Sequence, residues 1–295
     1  MLKDVKVFES SEGNVWKYVF ILNDAVAEAV LYRYGSFEER TVICVSVQSG
    51  CPVGCTFCGT GKTFIRNLTP DEIMAQVNYI LKDKDIHGEK VEKFQIMFMS
   101  MGEPFLNYSC VASVLMKGFN DPQFENVQLL ISTIAPYRVP QMKHFIELCK
   151  NDPRIGLQFS IHESTDVARD ILIPYKSKLN LNEIRNYGIE WWKETGRKPY
   201  CNYCINGSNN SIKDAENLIN RFPPTVFCFT FSVVCSADEN MKETAYRNIE
   251  HINAFEKIFM QEGYDTRIFD PAGQDDIGGG CGQLWYVQQY IKELK

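Results

Sequence analysis

The chain has 295 residues, 45% of them hydrophobic, and a formal net charge of -6, which suits one α/β barrel domain and disfavours a protein that simply coats nucleic acid. Its longest apolar runs, such as residues 96–99 and 225–231, fall far short of the ~20 residues that cross a bilayer, so a cytoplasmic monomer without membrane contact is expected. Eleven cysteines, an odd number with no secretory segment read ahead of them, argue against a disulfide framework.

In chain order, residues 14–22 and 25–32 read as two strands about a turn at Asn23 and Asp24, a β-hairpin appendage over residues 1–40 ahead of a domain over 41–295. Residues 42–47 form the first strand of that domain. Thr69, Pro70 and Glu72 make a capping box with proline at the first helical position, opening a helix to about Leu81. Strands at 94–99, 127–132, 156–161, 199–205 and 226–234, with a further one at 266–269, alternate with helical patterns, as parallel strands and covering helices do. The aromatic stretch from Phe222 to Phe231 reads as a barrel strand rather than a base-stacking platform. Acidity concentrates late, residues 236–295 carrying six Lys/Arg against eleven Asp/Glu, so a basic groove could still lie elsewhere.

Between the first strand and the first helix, Cys51, Cys55 and Cys58 form a C-x3-C-x2-C triplet. A cubane iron-sulfur cluster normally takes four thiolates, so three on one short loop leave a corner open for a cofactor. Zinc would want a fourth thiolate or imidazole, usually from a repeated C-x2-C pair. The other such pair, Cys201 and Cys204, lies on a strand that sends the two side chains to opposite faces. Gly59 to Thr63 looks like a phosphate loop but has Thr56 where the first glycine belongs. Cys110, Cys149, Cys228 and Cys235 read as buried small hydrophobes. The triplet resembles the signature of radical S-adenosylmethionine (SAM) enzymes. That resemblance implies a partial (β/α)6 radical SAM barrel and a [4Fe-4S] cluster whose open iron holds the amino and carboxylate groups of SAM.

Further motifs follow in order: Cys44-Val-Ser-Val-Gln-Ser-Gly-Cys51, Phe64-Ile-Arg-Asn-Leu68, Met101-Gly-Glu-Pro-Phe-Leu-Asn107, Ser160-Ile-His162 and the segment from Gly273 to Leu284. Across these, from about Glu28 to Leu284, the chain resembles the radical SAM methyltransferases that modify an adenosine in large-subunit ribosomal RNA, the RlmN/Cfr family. The resemblance implies that Gly102 and Glu103 meet SAM near the cluster, the Glu103 carboxylate holding its ammonium. Ser132, Ser160, Ile161 and His162 would serve its carboxylate and ribose. It implies that Cys281 accepts a methyl group and later bonds the substrate, and that Cys44 resolves this adduct through a transient Cys44–Cys281 disulfide. Glycines on both sides of Cys281 give that sulfur a mobile backbone. Glu28 resembles the family's base if three extra residues lie between Tyr32 and Glu39; otherwise it is an exposed strand residue. Implied partners are ribosomal or transfer RNA and an electron donor such as flavodoxin or ferredoxin.

The sequence departs from the family in three places. The helical domain that precedes the family's barrel has no counterpart in the first 40 residues, the Asn-Pro stretch after the sixth strand is replaced by Val234-Cys-Ser-Ala-Asp238, and Ser100 stands in place of glycine. Three readings follow. An RNA methyltransferase acting on carbon 2 or carbon 8 of adenine needs a basic groove, with Lys62, Arg66, Arg138 and Lys176 as candidates. A compact relative using the same cysteine relay on a small molecule, nucleotide or peptide needs an enclosed pocket. A cluster-bearing binding or sensing protein needs an inert Cys281.

Overall fold

The computed structural model describes residues 2–234, 249–269, 276–280, 282–284 and 286–294. The chain opens with three antiparallel strands, β1 (Leu2–Glu9), β2 (Val15–Leu22) and β3 (Val26–Tyr34), followed by β4 (Ser36–Cys44). A short ribbon, β5 (Gln48–Gly50) and β6 (Phe64–Asn67), flanks the cysteine loop and leads into α1 (Pro70–Asp83). Then come β7 (Lys93–Phe98), α2 (Tyr108–Lys117), β8 (Gln128–Thr133), α3 (Val139–Asn151), β9 (Ile155–Ser160), α4 (Asp166–Leu172) and α5 (Leu181–Thr195). The chain continues through β10 (Tyr200–Ile205), α6 (Ile212–Ile219), β11 (Cys228–Val233), α7 (Ile249–Gln261), β12 (Thr266–Phe269) and α8 (Tyr286–Leu294).

One sheet runs in the order β1-β2-β3-β4-β7-β8-β9-β10-β11-β12. From β4 onward every pairing is parallel, which gives the six expected barrel strands, with β12 as a seventh. Helices must carry the chain back between parallel neighbours, and the capping box predicted at Thr69 and Glu72 is present at the start of α1. The Phe222–Phe231 stretch packs in the core, Phe229 and Phe231 meeting Phe259 at ring separations of 4.7 and 5.0 Å. Each ring so buried contributes about 1.5–3 kcal/mol.

The N-terminal region corrects the two-strand expectation. A third strand, β1, pairs with β2, while β3 pairs with β4, so the antiparallel strands extend the barrel sheet and position 40 falls inside β4. β1 escaped notice because most of its residues are exposed and it mixes Lys3, Asp4 and Lys6 with its apolar residues, as an edge strand does. The first barrel strand also ends at Cys44 rather than at 47. Both faces of β2–β3 are covered. Trp16, Tyr18, Phe20 and Ala29 share a core with Ile73, Val77 and Ile80 of α1, and Val15, Val19, Val26 and Val30 pack with Tyr286, Val287 and Tyr290 of α8. Among the described residues no helix is long and apolar enough to cross a membrane.

Candidate active site

Strand side chains alternate between faces, and on the barrel strands the outward set is apolar while the inward set mixes polar residues with apolar ones such as Val42 and Met97. Arg40, Cys44, Met97, Ser132, Gln158, Ser160, Asn202, Thr230, Ser232 and Arg267 face a cavity of about 420 Å³. An interior lined this way holds ligand rather than a packed aliphatic core. Because residues of β3 and β4 line it together with Arg267 and Phe269 of β12, the sheet curls round it from both ends.

At the mouth the turn after β7 carries Gly102 and Glu103. Gly102 has φ of 99°, and a Cβ there would lie 2.6 Å from the Cβ of Gln48, so only glycine fits. The Gln48 amide oxygen accepts the Glu103 N–H at 2.8 Å, and Asn107 donates to the carbonyls of Val47 and Leu68 at 2.7 and 2.8 Å. These bonds tie the turn to the chain on both sides of the cysteine loop. The Glu103 carboxylate accepts from Thr133 Oγ1 at 2.6 Å, Ile134 N at 2.8 Å and Phe105 N at 3.0 Å. Three donors leave roughly one of a carboxylate's four lone-pair positions, and burial raises its pKa to about 7. A cation placed at the remaining position would hold it ionised. Glu103→Gln should therefore weaken SAM binding by roughly tenfold or more, the scale of one charge-assisted hydrogen bond, with iron content unchanged. Equal SAM affinity of the two proteins in equilibrium dialysis would move the role elsewhere.

Ser132 and Ser160 lie side by side, Oγ to Oγ 3.1 Å. The Ile161 side chain is in the core, its N–H donates to the Asn202 carbonyl and its carbonyl accepts from Glu163 N; unlike Ser160 and His162 it does not line the cavity. His162 lines the cavity with φ of 59°, a conformation that costs a non-glycine residue on the order of 1–3 kcal/mol. Asn209 holds its carbonyl at 2.9 Å and Cys204 N–H donates to Nδ1 at 3.2 Å. Nδ1 is thus the acceptor, so the neutral ring carries its proton on Nε2. Burial pushes the imidazole pKa down to about 3, so the ring is a neutral donor. Buried Arg169 ties the end of β8 to the segment before α5 and to the last residue of β9, donating to the carbonyls of Ile134 at 2.7 Å, Leu179 at 2.8 Å and Ser160 at 3.4 Å. Ser100 presents to the same cavity a buried hydroxyl that has no hydrogen-bond partner among the described residues.

Cys51, Cys55 and Cys58 line this mouth with Cys44. A polynuclear cluster would take each of these three thiolates on a different iron. Cys281 lies outside the described residues, but its neighbours do not. Gly280 and Gly282 line the cavity, Gly282 O accepts from Gly59 N at 2.7 Å, and a Cβ on Gly282 would come 3.4 Å from the Cys58 Cα. Thr60 Oγ1 donates to the Leu284 carbonyl and Tyr32 OH to the Gly279 carbonyl. The segment is docked on the cysteine loop.

Glu28 is fully buried rather than exposed. It sits under the start of α8, accepting from Tyr286 N at 2.9 Å, with Lys17 Nζ 4.0 Å away. It does not itself line the cavity, but Val30, next on the same face of β3, does. Burial raises its pKa to about 7. Of the basic-groove candidates, Arg66 is occupied by Asp24 and Glu72 at 2.7 and 2.8 Å, while Lys62 and Lys176 are exposed and Arg138 donates to the Tyr137 carbonyl.

No family model matches the chain. Among curated proteins, the probable dual-specificity RNA methyltransferase RlmN of Thermotoga petrophila is 32% identical over 271 residues, covering 91% of this chain and 75% of the relative. The chain belongs to the RlmN family. The RlmN protein of Pseudothermotoga lettingae is 31% identical across 97% of this chain and 80% of its own length. A crystal structure of a radical SAM methyltransferase from Sphaerobacter thermophilus superposes with a TM-score of 0.78 at 29% identity, covering 96% of this chain and 80% of that one. Streptococcus suis SuiB bound to S-adenosylmethionine, at 14% identity and a TM-score of 0.54 over 78% of this chain and 47% of its own, shares the fold.

Proposed function

We propose that the chain methylates carbon 2 or carbon 8 of an adenine in ribosomal or transfer RNA. The observation that carries the reading is the convergence of Cys44, the three loop cysteines and the glycines flanking Cys281 on one cavity. Membership of the RlmN family supports it. Cys51, Cys55 and Cys58 hold a [4Fe-4S] cluster, and Gly102, Glu103, Ser132, Ser160 and His162 hold SAM. Together, when bound, these groups supply an electron, a methyl group and a hydrogen-abstracting radical.

The chain's own residues do the rest. An adenine ring carbon bearing hydrogen is not nucleophilic, so the methyl is first carried as a thioether on Cys281. Once a hydrogen is removed from that S-methyl, its carbon adds to the ring and the substrate is bonded to the protein. Glu28 is the base the family resemblance implies, and its pKa of about 7 is matched to taking the ring proton. It does not line the cavity, so this role requires the start of α8 that covers it to move aside. The unpaired electron of the adduct would pass back to the bound cluster as the proton leaves. The Cys44 thiolate then attacks the Cys281 sulfur. The bond from sulfur to the methylene carbon breaks with its electron pair going to carbon, which takes a proton from solvent to become the methyl group, and a Cys44–Cys281 disulfide is left to be reduced by the electron donor. The parallel strands from β4 onward, with the cysteine loop and Cys281, carry this chemistry, and β1–β3 extend the wall, support α8 and hold Glu28. The reading further takes the protein to be a cytoplasmic monomer supplied by a flavodoxin or ferredoxin.

The test is anaerobic incubation of the reconstituted enzyme with methyl-labelled SAM and total RNA, followed by digestion to nucleosides. Label on a methyladenosine is expected. Label confined to a small-molecule fraction would replace this reading with that of the compact relative.

A further inference from the structure

Resting on the reading of a nucleotide substrate, we infer that Arg40 and Arg267 form a subsite for a phosphate group at the inner end of the barrel cavity. Both side chains line that cavity. Arg267 donates to Thr230 Oγ1 at 2.7 Å and Gln158 Oε1 at 3.2 Å, and its guanidinium lies 4.4 Å from the Tyr200 ring centroid. Arg40 donates through Nε and Nη2 to Gln95 Oε1 at 3.2 and 3.0 Å and lies 4.3 Å from the Tyr34 ring centroid.

Every acceptor in this arrangement is neutral, and the amides are turned to keep it so. Gln95 gives its N–H to Gln128 and Gln158 gives its N–H to Ser132, which points both amide oxygens at the arginines. Each guanidinium has five N–H donors, of which two bond to the described residues. Among the described residues neither arginine meets a carboxylate. Burial above all, with the charge of Arg40 adding, holds Arg267 below its ordinary pKa, so the two cations repel. Cations placed in a barrel for structure alone are normally paired with carboxylates. Two oriented forks in a ligand cavity, with no carboxylate partner among the described residues, are instead matched to a polyvalent oxyanion.

Their place along the strand sets the ligand's length. Arg40 lies four residues before Cys44 on β4, roughly 13 Å at the rise of a strand. A ligand whose reacting carbon lies beside Cys44 and the segment flanking Cys281, and which also reaches Arg40, is therefore extended, with that carbon and its anion at opposite ends, as in a nucleotide.

The test compares binding of adenosine, adenosine monophosphate and an adenine-containing RNA oligonucleotide to the cluster-loaded, SAM-bound enzyme by calorimetry. The monophosphate should bind about tenfold or more tighter than adenosine, the scale of one charge-assisted hydrogen bond. Arg267→Met should abolish that difference and Arg267→Lys retain part of it, with iron content and SAM affinity unchanged. Equal binding of adenosine and the monophosphate by the unmodified enzyme would overturn the subsite, as would a difference that survives in Arg267→Met. If the methionine variant does not fold, protection of Arg267 from phenylglyoxal by the monophosphate but not by adenosine decides the matter, and equal labelling with both overturns it. An oligonucleotide whose affinity also falls in the variant identifies an RNA phosphate; dependence confined to the monophosphate identifies a free nucleotide. Failure of RNA methylation with the phosphate preference intact would sink the proposed function and leave the subsite standing.

Discussion

Cys44→Ala, given SAM and substrate, is expected to accumulate protein covalently bonded to its substrate, whereas Cys281→Ala should methylate nothing. The two cysteines fail differently because they act at different steps. Without the Cys281 sulfur there is no carrier for the methyl, so transfer should fall below detection while slow cleavage of SAM continues. Without Cys44 the methyl is still carried and the ring carbon still bonded, but no thiolate attacks the Cys281 sulfur to release the product. Cys44 ends β4 on the cavity side, beside the docked segment that flanks Cys281, so alanine there leaves the strand pairing with Met97 and Val30 in place. The adduct should appear as an intact-mass increase or a shifted band, and nuclease sensitivity would identify the attached substrate as RNA. Normal turnover by Cys44→Ala would make Cys44 a wall residue only and remove the resolving step.

Most of the barrel was legible because its strands alternate apolar and polar residues or run as short apolar stretches between turn signals, and because Thr69 and Glu72 announce α1. The strand β1 was not, since an edge strand exposed on most of its length has no buried face to impose a pattern. The cysteine loop was legible because its ligands lie within eight consecutive positions. What supports it was not. Gln48, Thr133, Asn107 and Arg169 reach the site through contacts up to 60 residues away in sequence, and no local pattern distinguishes such a residue from an ordinary polar one. Arg66 shows the converse. Its charge suggested a nucleic-acid contact, but Asp24, 42 positions earlier, and Glu72 both engage it. Arg267 lay on a strand predicted correctly, yet only the curling of the sheet brings it into the same cavity as Arg40.

The anaerobically purified chain should be brown and hold about four irons, and alanine at Cys51, Cys55 or Cys58 should abolish both the colour and the reductive cleavage of SAM. Three thiolates leave one iron of a cubane for SAM; two leave too few anchors to keep the cluster through purification. The loss should be chemical rather than structural, because the loop is held without its thiols. Cys51 N–H donates to the Thr63 carbonyl at 2.8 Å, Thr56 N–H to the Leu172 carbonyl at 2.9 Å, and Asn107 fixes the chain on either side. Each alanine variant should therefore unfold within about 1 kcal/mol of the iron-free parent, the usual range for a substitution outside the core. Cys110→Ala, remote from the cavity, should keep its iron and its colour. A variant of any loop cysteine that retained four irons and cleaved SAM at the parent rate would dismiss the triplet as the cluster site, and zinc in stoichiometric amount would return the loop to a structural metal role.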